Sequence, residues 1–329
     1  MRITRRAAWS GACGGLAAAL GLPLARAEGT YPNRPITWIV PFTPAGITDV
    51  NSRLVARKLG ERLGQSIIIE NRPGAGGTLG TELAARAAAD GYTMIYGTQG
   101  TLATAPALFR RLPYDPMGSF IPIQGMFETP NVLVVHPSRP YRTAAELVAY
   151  AKRHPGRINF ATSGVGTGTH LAAVLFQTVA GIEMTHIPYP GSGPALNDLI
   201  AGNIDIMFDY AVATRAHIEG GRLRSLLVTA AEPIPALPQV PTVAQLGLGD
   251  ALSASWSGIL LPAGTPQPIV DRLAEAAEAV IRDPEIRQVA ESNGSRPMVE
   301  LNKERFGRFI QEEIPRWSEI VRRSGAQPS

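Results

Sequence analysis

The chain has 329 residues, of which 45% are hydrophobic and 18% charged, with a formal net charge of +4. A chain of this length can bury one large core or two of ordinary size, and two lobes are the better expectation. The charge excess is local: residues 1–27 hold four of the 31 basic side chains (Arg2, Arg5, Arg6 and Arg26) and none of the 27 acidic ones. The remainder is formally neutral, which removes the charge argument for nucleic acid or an anionic membrane surface as a partner.

Arg2, Arg5 and Arg6 precede an apolar, small-residue run over 11–24 that ends in Ala25-Arg26-Ala27, the pattern of a cleaved secretory signal over 1–27. The run is shorter than the roughly 20 residues a spanning helix needs. Arg5-Arg6 leaves the general and the twin-arginine export routes both open. The single cysteine, Cys13, falls in the same segment. The mature chain is therefore expected to be a periplasmic protein stabilised by packing, without thiols or disulfides.

In chain order, residues 36–42 are nearly all apolar, as in a strand covered on both faces of a parallel sheet. Thr48 and Asp49 suit a helix start, and apolar spacing continues to Gly64. A strand over 66–70, a glycine-rich loop, a helix over 79–89 and a strand over 92–96 repeat the unit, which argues for βαβ crossovers. Pro106, Pro113 and Pro116 then interrupt regular structure. Strands are predicted over 132–135, 158–162, 184–189, 204–208 and 223–229, with helices over 143–154, 170–180 and 194–201 between them. After the proline-rich connector 233–241 come a strand over 257–261 and helices over 268–281, 284–292 and 302–323. With so few strand residues left, the tail is expected to pack back on the first lobe. Lobe 1 then comprises 28–128 and 253–329, lobe 2 comprises 129–252, and two crossings form a hinge.

Ligands in open α/β sheets sit beyond the carboxyl ends of strands, at turns leading into helices. Three such turns share one chemistry: 44–49, 163–170 and 189–194. Each combines small residues that free backbone N–H groups, hydroxyls, and the positive end of a helix dipole, which together suit a carboxylate without lysine or arginine. Tyr189 and Ser192 belong to the third turn, and 97–101 offers a fourth wall. Asp209, at a strand end, is placed either to accept from a ligand amine or hydroxyl or to be paired structurally. The loop 71–80 resembles a dinucleotide fingerprint, but no acidic residue follows the next strand at the ribose position. Ser163 lacks the leading glycine of a nucleophile elbow. His136, His154, His170, His186 and His217 show no metal-ligand spacing. Trp38, Trp256 and Trp317 read as core. No catalytic residue, metal or cofactor is expected.

Several segments resemble the Bug-type, TctC-like receptors of tripartite tricarboxylate transporters. They include Tyr31-Pro32-Asn33-Arg34-Pro35-Ile36, Glu70-Asn71-Arg72-Pro73-Gly74-Ala75-Gly76-Gly77, Asp90-Gly91-Tyr92-Thr93, Leu112-Pro113-Tyr114-Asp115-Pro116, Gly191-Ser192-Gly193-Pro194-Ala195 and Pro262-Ala263-Gly264-Thr265-Pro266. The match runs in order over essentially the whole mature chain. The resemblance implies an α/β, two-lobed Venus-flytrap receptor of type II-like architecture, each lobe a mainly parallel sheet flanked by helices. Such a monomer holds a small organic acid and passes it to membrane permease subunits. The implied ligand loops are Phe42, Thr43, Ala45, Gly46, Thr48 and Asp49; then Thr98, Gly100 and Thr101; then Ser163, Gly166, Thr167 and His170; with Asp209 as the cleft acid. Two departures stand out: Ala45-Gly46 replaces the usual glycine pair, so a methyl is expected to narrow the carboxylate's approach, and Leu248-Gly249-Asp250-Ala251 replaces a proline-glycine-aromatic turn. A sensor delivering ligand to a histidine kinase and a hydrolase built on Ser163 and His170 are the competing readings.

Overall fold

The computed structural model describes residues 31–323, and the expected export segment 1–27 lies outside the described residues. The chain builds two mixed sheets flanked by helices, the two lobes of the molecule. The first lobe begins with β1 (Ile36–Val40), α1 (Ile47–Leu63), β2 (Ile67–Asn71), α2 (Thr78–Ala85), β3 (Thr93–Thr98), α3 (Ala105–Leu108) and β4 (Phe120–Pro130). The second sheet then takes β5 (Val132–Val135), α4 (Ala144–Arg153), β6 (Asn159–Thr162), α5 (Gly168–Ala180), β7 (Thr185–Pro188), α6 (Ser192–Ile200), β8 (Ile206–Asp209), α7 (Ala211–Glu219) and β9 (Arg224–Val228). The chain returns through β10 (Ala254–Pro262), α8 (Gln267–Ile281), α9 (Pro284–Ser292), β11 (Arg296–Pro297) and α10 (Lys303–Arg323).

The sheet orders are β11-β4-β10-β3-β1-β2 and β7-β6-β8-β5-β9. Parallel pairing, expected to dominate, is confined to β1 with β2 and β3, and to β6 with β7 and β8. These are the strands linked by helical crossovers. The strands that carry the chain between sheets pair antiparallel: β10 with β3 and β4, and β5 with β8 and β9. Hence each sheet is mixed, for a strand that runs straight on into the next sheet makes no crossover return.

The local chemistry follows the sequence closely where the period is clear. β1 is buried on both faces, and α1 and α5 stop at Gly64 and Gly181, both in the left-handed conformation that ends helices. Phe306, Ile310, Trp317 and Val321 of α10 share one buried cluster with Ile95 of β3 and Leu260 of β10, so the tail packs on the first sheet. The indole N–H groups of Trp256 and Trp317 both donate to Glu313 Oε2, at 2.8 and 2.6 Å. The crossings between sheets are tied together: Thr229 Oγ1 donates to the Ser253 carbonyl at 2.6 Å and accepts from the Asn131 N–H at 2.8 Å. Residues 249–251 form a single 3-10 turn that buries Ala251 in place of an aromatic.

Candidate ligand-binding site

Strand ends from both sheets meet at one cavity. From the first lobe come Phe42, Thr43 and Gly46, the start of α1 at Ile47, Thr48 and Asn51, and the end of β3 at Tyr96, Thr98, Gln99 and Gly100. From the second come Ser163, Thr167 and Gly168 at the start of α5, Gly191 and Ser192 at the start of α6, and Tyr210. Thr129, Ser255, Trp256 and Ser257, on the strands beside the crossings, complete the wall. None of these residues carries a charge. The space left for the centres of water-sized spheres is about 60 Å³, room for a handful of waters at roughly 10–15 Å³ each.

Glycine allows the two lobes to close this tightly. A Cβ placed on Gly168 would overlap Ser255 Oγ, and one on Gly191 would overlap Thr43 Oγ1. One on Gly100 would lie 3.0 Å from the Gly166 carbonyl oxygen, and one on Gly76 only 2.5 Å from that of Val165. Each pair spans the cleft.

Helices α1, α5 and α6 begin at the wall without a side-chain cap, their cap positions being Gly46, Thr167 and Gly191, and so does α7, whose cap position is the wall residue Tyr210. The four leading N–H groups of a helix lack intrahelical acceptors, and the dipole makes that end a site for anions. Hydroxyls extend the donor set. Tyr210 Oη donates to Ser255 Oγ at 2.9 Å and Tyr96 Oη to Ser257 Oγ at 3.0 Å. Burial holds both phenols neutral, pushing Tyr96 up to about 12 and raising Tyr210 as well. Two buried side chains on the wall keep unpaired polar atoms, Asn51 at Oδ1 and Gln99 at both Oε1 and Nε2.

Of the residues singled out from sequence, Phe42, Thr43, Gly46, Thr48, Thr98, Gly100, Ser163, Thr167 and Ser192 lie on the wall. The others stand behind or beside it, for identifiable reasons. Ala45 is exposed with φ 66°. Its methyl therefore does not crowd the cavity, and the glycine expected there answers to backbone conformation. Asp49 accepts from the Ala45 N–H at 3.0 Å and pairs with Arg53 at 2.9 Å. Burial alone would raise its pKa, but hydrogen bonds from Arg53, Ala45 and Asn71 prevail and lower it. Thr101 accepts from the Thr98 N–H at 3.1 Å and so braces the β3 end. His170 Nδ1 accepts from the Gly166 N–H at 3.2 Å, and the ring stacks on His186 at 4.2 Å. Burial and the neighbouring His186 lower its pKa to about 3, so it is a neutral brace for the loop. Ser163 Oγ bonds instead to Thr167 and Thr169. Tyr189 Oη donates to Asp198 at 2.6 Å.

Asp209 is fully buried directly behind the wall. Its Oδ1 accepts from Ser192 Oγ and the Tyr210 N–H, each at 2.9 Å, while Oδ2 has no partner. Desolvation raises its pKa to about 6. Sequence reasoning missed Asn51, Tyr96, Tyr210, Thr129, Ser255 and Ser257 and read Trp256 as core alone. One signal was available: hydroxyls at Ser253, Ser255 and Ser257 alternate with period two, marking a polar face on an otherwise apolar strand.

Two α/β lobes closed on a cavity lined by hydroxyls and free helix starts define a solute-binding receptor. Comparison with known proteins makes the assignment specific. Residues 51–326 match the profile of the tripartite tricarboxylate transporter family receptor, TctC. Protein BugT of Bordetella pertussis is 36% identical over 299 residues, covering 91% of each chain. Among solved structures, R. palustris Rpa4515 with adipate is similar at a TM-score of 0.87 and 35% identity, covering 91% of this chain and 100% of that one. MatC (Rpa3494) from Rhodopseudomonas palustris with bound malate is similar at 0.83 and 33%, covering 88% and 100%. The chain belongs to the TctC family of tripartite tricarboxylate transporter receptors.

Proposed function

We propose that this protein is an exported, periplasmic receptor that captures a small carboxylate in the interlobe cavity and delivers it to a tripartite tricarboxylate-type membrane permease. The observation that carries the reading is the convergence of the uncapped starts of α1, α5 and α6 on one uncharged cavity. Each terminus favours an anion by about 0.3–1 kcal/mol, and up to about 2 kcal/mol when partly buried. Together they offset the desolvation of a carboxylate without a cationic side chain. The similar structures that hold adipate and malate support the ligand class. Among the described residues no helix is long and apolar enough to cross a membrane, in keeping with the permease being a separate chain. The lobe boundaries read from sequence, 28–128 with 253–329 and 129–252, are retained as part of this proposal.

Thermal unfolding of residues 28–329 against matched acids and their amides, after refolding to strip carried-over ligand, tests the reading. A ligand at one hundred times its Kd stabilises by about 2.7 kcal/mol and moves Tm by several degrees. A shift with an acid and none with its amide is expected. Equal shifts with both would reject recognition of the carboxylate.

A further inference from the structure

Two amides on the first-lobe side of the cavity are left with polar groups that nothing satisfies. Asn51 and Gln99 are each only 1% exposed. Asn51 Oδ1 has no hydrogen-bond partner, and neither Oε1 nor Nε2 of Gln99 has one. The orientation of the Asn51 amide is fixed by its neighbours. Tyr96 Oη gives its proton to Ser257 Oγ at 3.0 Å, so it can only accept from Asn51, whose side chain hydrogen-bonds it. The nitrogen of Asn51 is thereby used and the oxygen is the end left over. For Gln99 the orientation is immaterial, since one end accepts and the other donates either way.

A buried acceptor without a donor costs about 1–3 kcal/mol, and native proteins rarely leave one unexplained. Here two acceptors, Asn51 Oδ1 and Gln99 Oε1, belong to residues that line one cavity, together with the unpaired amide nitrogen of Gln99. A carboxylate oxygen is an acceptor only. It can accept a hydrogen bond from Gln99 Nε2, yet it leaves both amide oxygens unpaired and faces them with like polarity. A hydroxyl, ammonium or amide N–H on the ligand pairs with them directly.

We infer that the ligand is a small acid carrying at least one hydrogen-bond donor besides its carboxylate, a hydroxy, amino or amido acid, whose donor is read by Asn51 and Gln99. This deepens the carboxylate-receptor reading and rests on it. Asn51 and Gln99 thus act as specificity residues, rejecting plain diacids of the same length because these would leave the two oxygens unpaired.

The test is isothermal titration of the stripped protein with matched sets: succinate, malate and aspartate; glutarate, 2-hydroxyglutarate and glutamate; and adipate. The tightest ligand is expected to bear a donor and to bind at least tenfold more tightly than its plain parent. Gln99→Met and Asn51→Leu should each shrink that ratio toward one. A plain diacid binding within about threefold of its donor-bearing partner in the wild-type protein would overturn this inference while leaving the carboxylate receptor standing. So would variants that weaken both members of a pair by the same factor. Binding of no acid at all would overturn both readings together.

Discussion

Helices α4 and α9, away from the cavity wall, begin as free-standing helices do: Thr143 accepts from the Glu146 N–H at 3.2 Å and Asp283 from the Glu285 N–H at 2.8 Å. Helices α1, α5 and α6, which open on the cavity, have glycine in the same position or, in α5, Thr167, whose hydroxyl donates to the Gly164 carbonyl at 2.7 Å and does not cap the helix. A side-chain cap is worth about 0.5–2 kcal/mol relative to alanine, typically near 1. Helices α2 and α8 also start without a side-chain cap, so what sets α1, α5 and α6 apart from them is that their uncapped starts open on the cavity. The difference teaches how to read the site: on the proposed carboxylate-receptor reading, an anionic ligand supplies to α1, α5 and α6 what Thr143 and Asp283 supply to α4 and α9.

The comparison can be broken most severely at Gly168, the first residue of α5. Gly168→Ala drives a methyl into Ser255 Oγ and against Tyr210 Oη, so the lobes cannot close with the wall intact. Affinity should fall by a hundredfold or more, about 2.7 kcal/mol, with an unchanged far-ultraviolet circular dichroism spectrum. Retained affinity would show that the closed contact is dispensable.

Gly46→Asp converts an open start into a capped one. The backbone at Gly46 is extended (φ −76°, ψ 171°), as an N-cap requires, and an added Cβ meets only the Thr43 carbonyl at 3.7 Å. Tm should hold or rise slightly, while the resident carboxylate competes with the ligand and lowers affinity by tens of fold, as titration calorimetry would read. Binding undiminished by this variant would remove α1 from the anion site.

Helix α6 departs partly from the pattern, because Ser192 is tied to the buried Asp209. The folded pKa of Asp209, about 6, lies above the ordinary value near 3.8, owing to desolvation. The fold therefore favours the protonated form. Its contribution to stability is full below about pH 4 and is lost as pH rises through 6, amounting to as much as about 3 kcal/mol. Denaturant midpoints at pH 4, 6 and 8 should show this component in the wild type and its removal in Asp209→Asn; identical profiles would place the charge elsewhere.

Much of this architecture was legible because its signals are local. The strand at 36–40, the helix stop at Gly64 and the three glycine-rich turns depend on neighbours in sequence, and nine of the wall residues are among those singled out from sequence. What escaped depends on partners distant along the chain. β4 carries Pro122, Gly125 and Pro130 and pairs with β10 through two register shifts, so no regular period announced it. Asn51 and Tyr96 look like ordinary helix and strand residues until Ser257, about 200 and 160 residues further on, sets the direction of their hydrogen bonds. Asp209 stands at the end of its strand, as its place in the sequence implies, and the structure puts Ser192 between it and the cavity.

The capped helices give the milder controls. Thr143→Ala should cost about 1 kcal/mol of stability in chemical denaturation and leave ligand affinity unaltered. A smaller effect is expected of Ala45→Gly, one residue before the open start of α1. Ala45 sits at φ 66°, where an L side chain is disfavoured by roughly 1 kcal/mol or more, while glycine loses part of that gain through its greater freedom in the unfolded chain. A net stabilisation of about 0.5 kcal/mol should result, with affinity unchanged, because the methyl is exposed outside the cavity. If affinity rose instead with no change in stability, the methyl would be reaching the ligand, and the loop before α1 would have to take a different conformation when the cavity is filled.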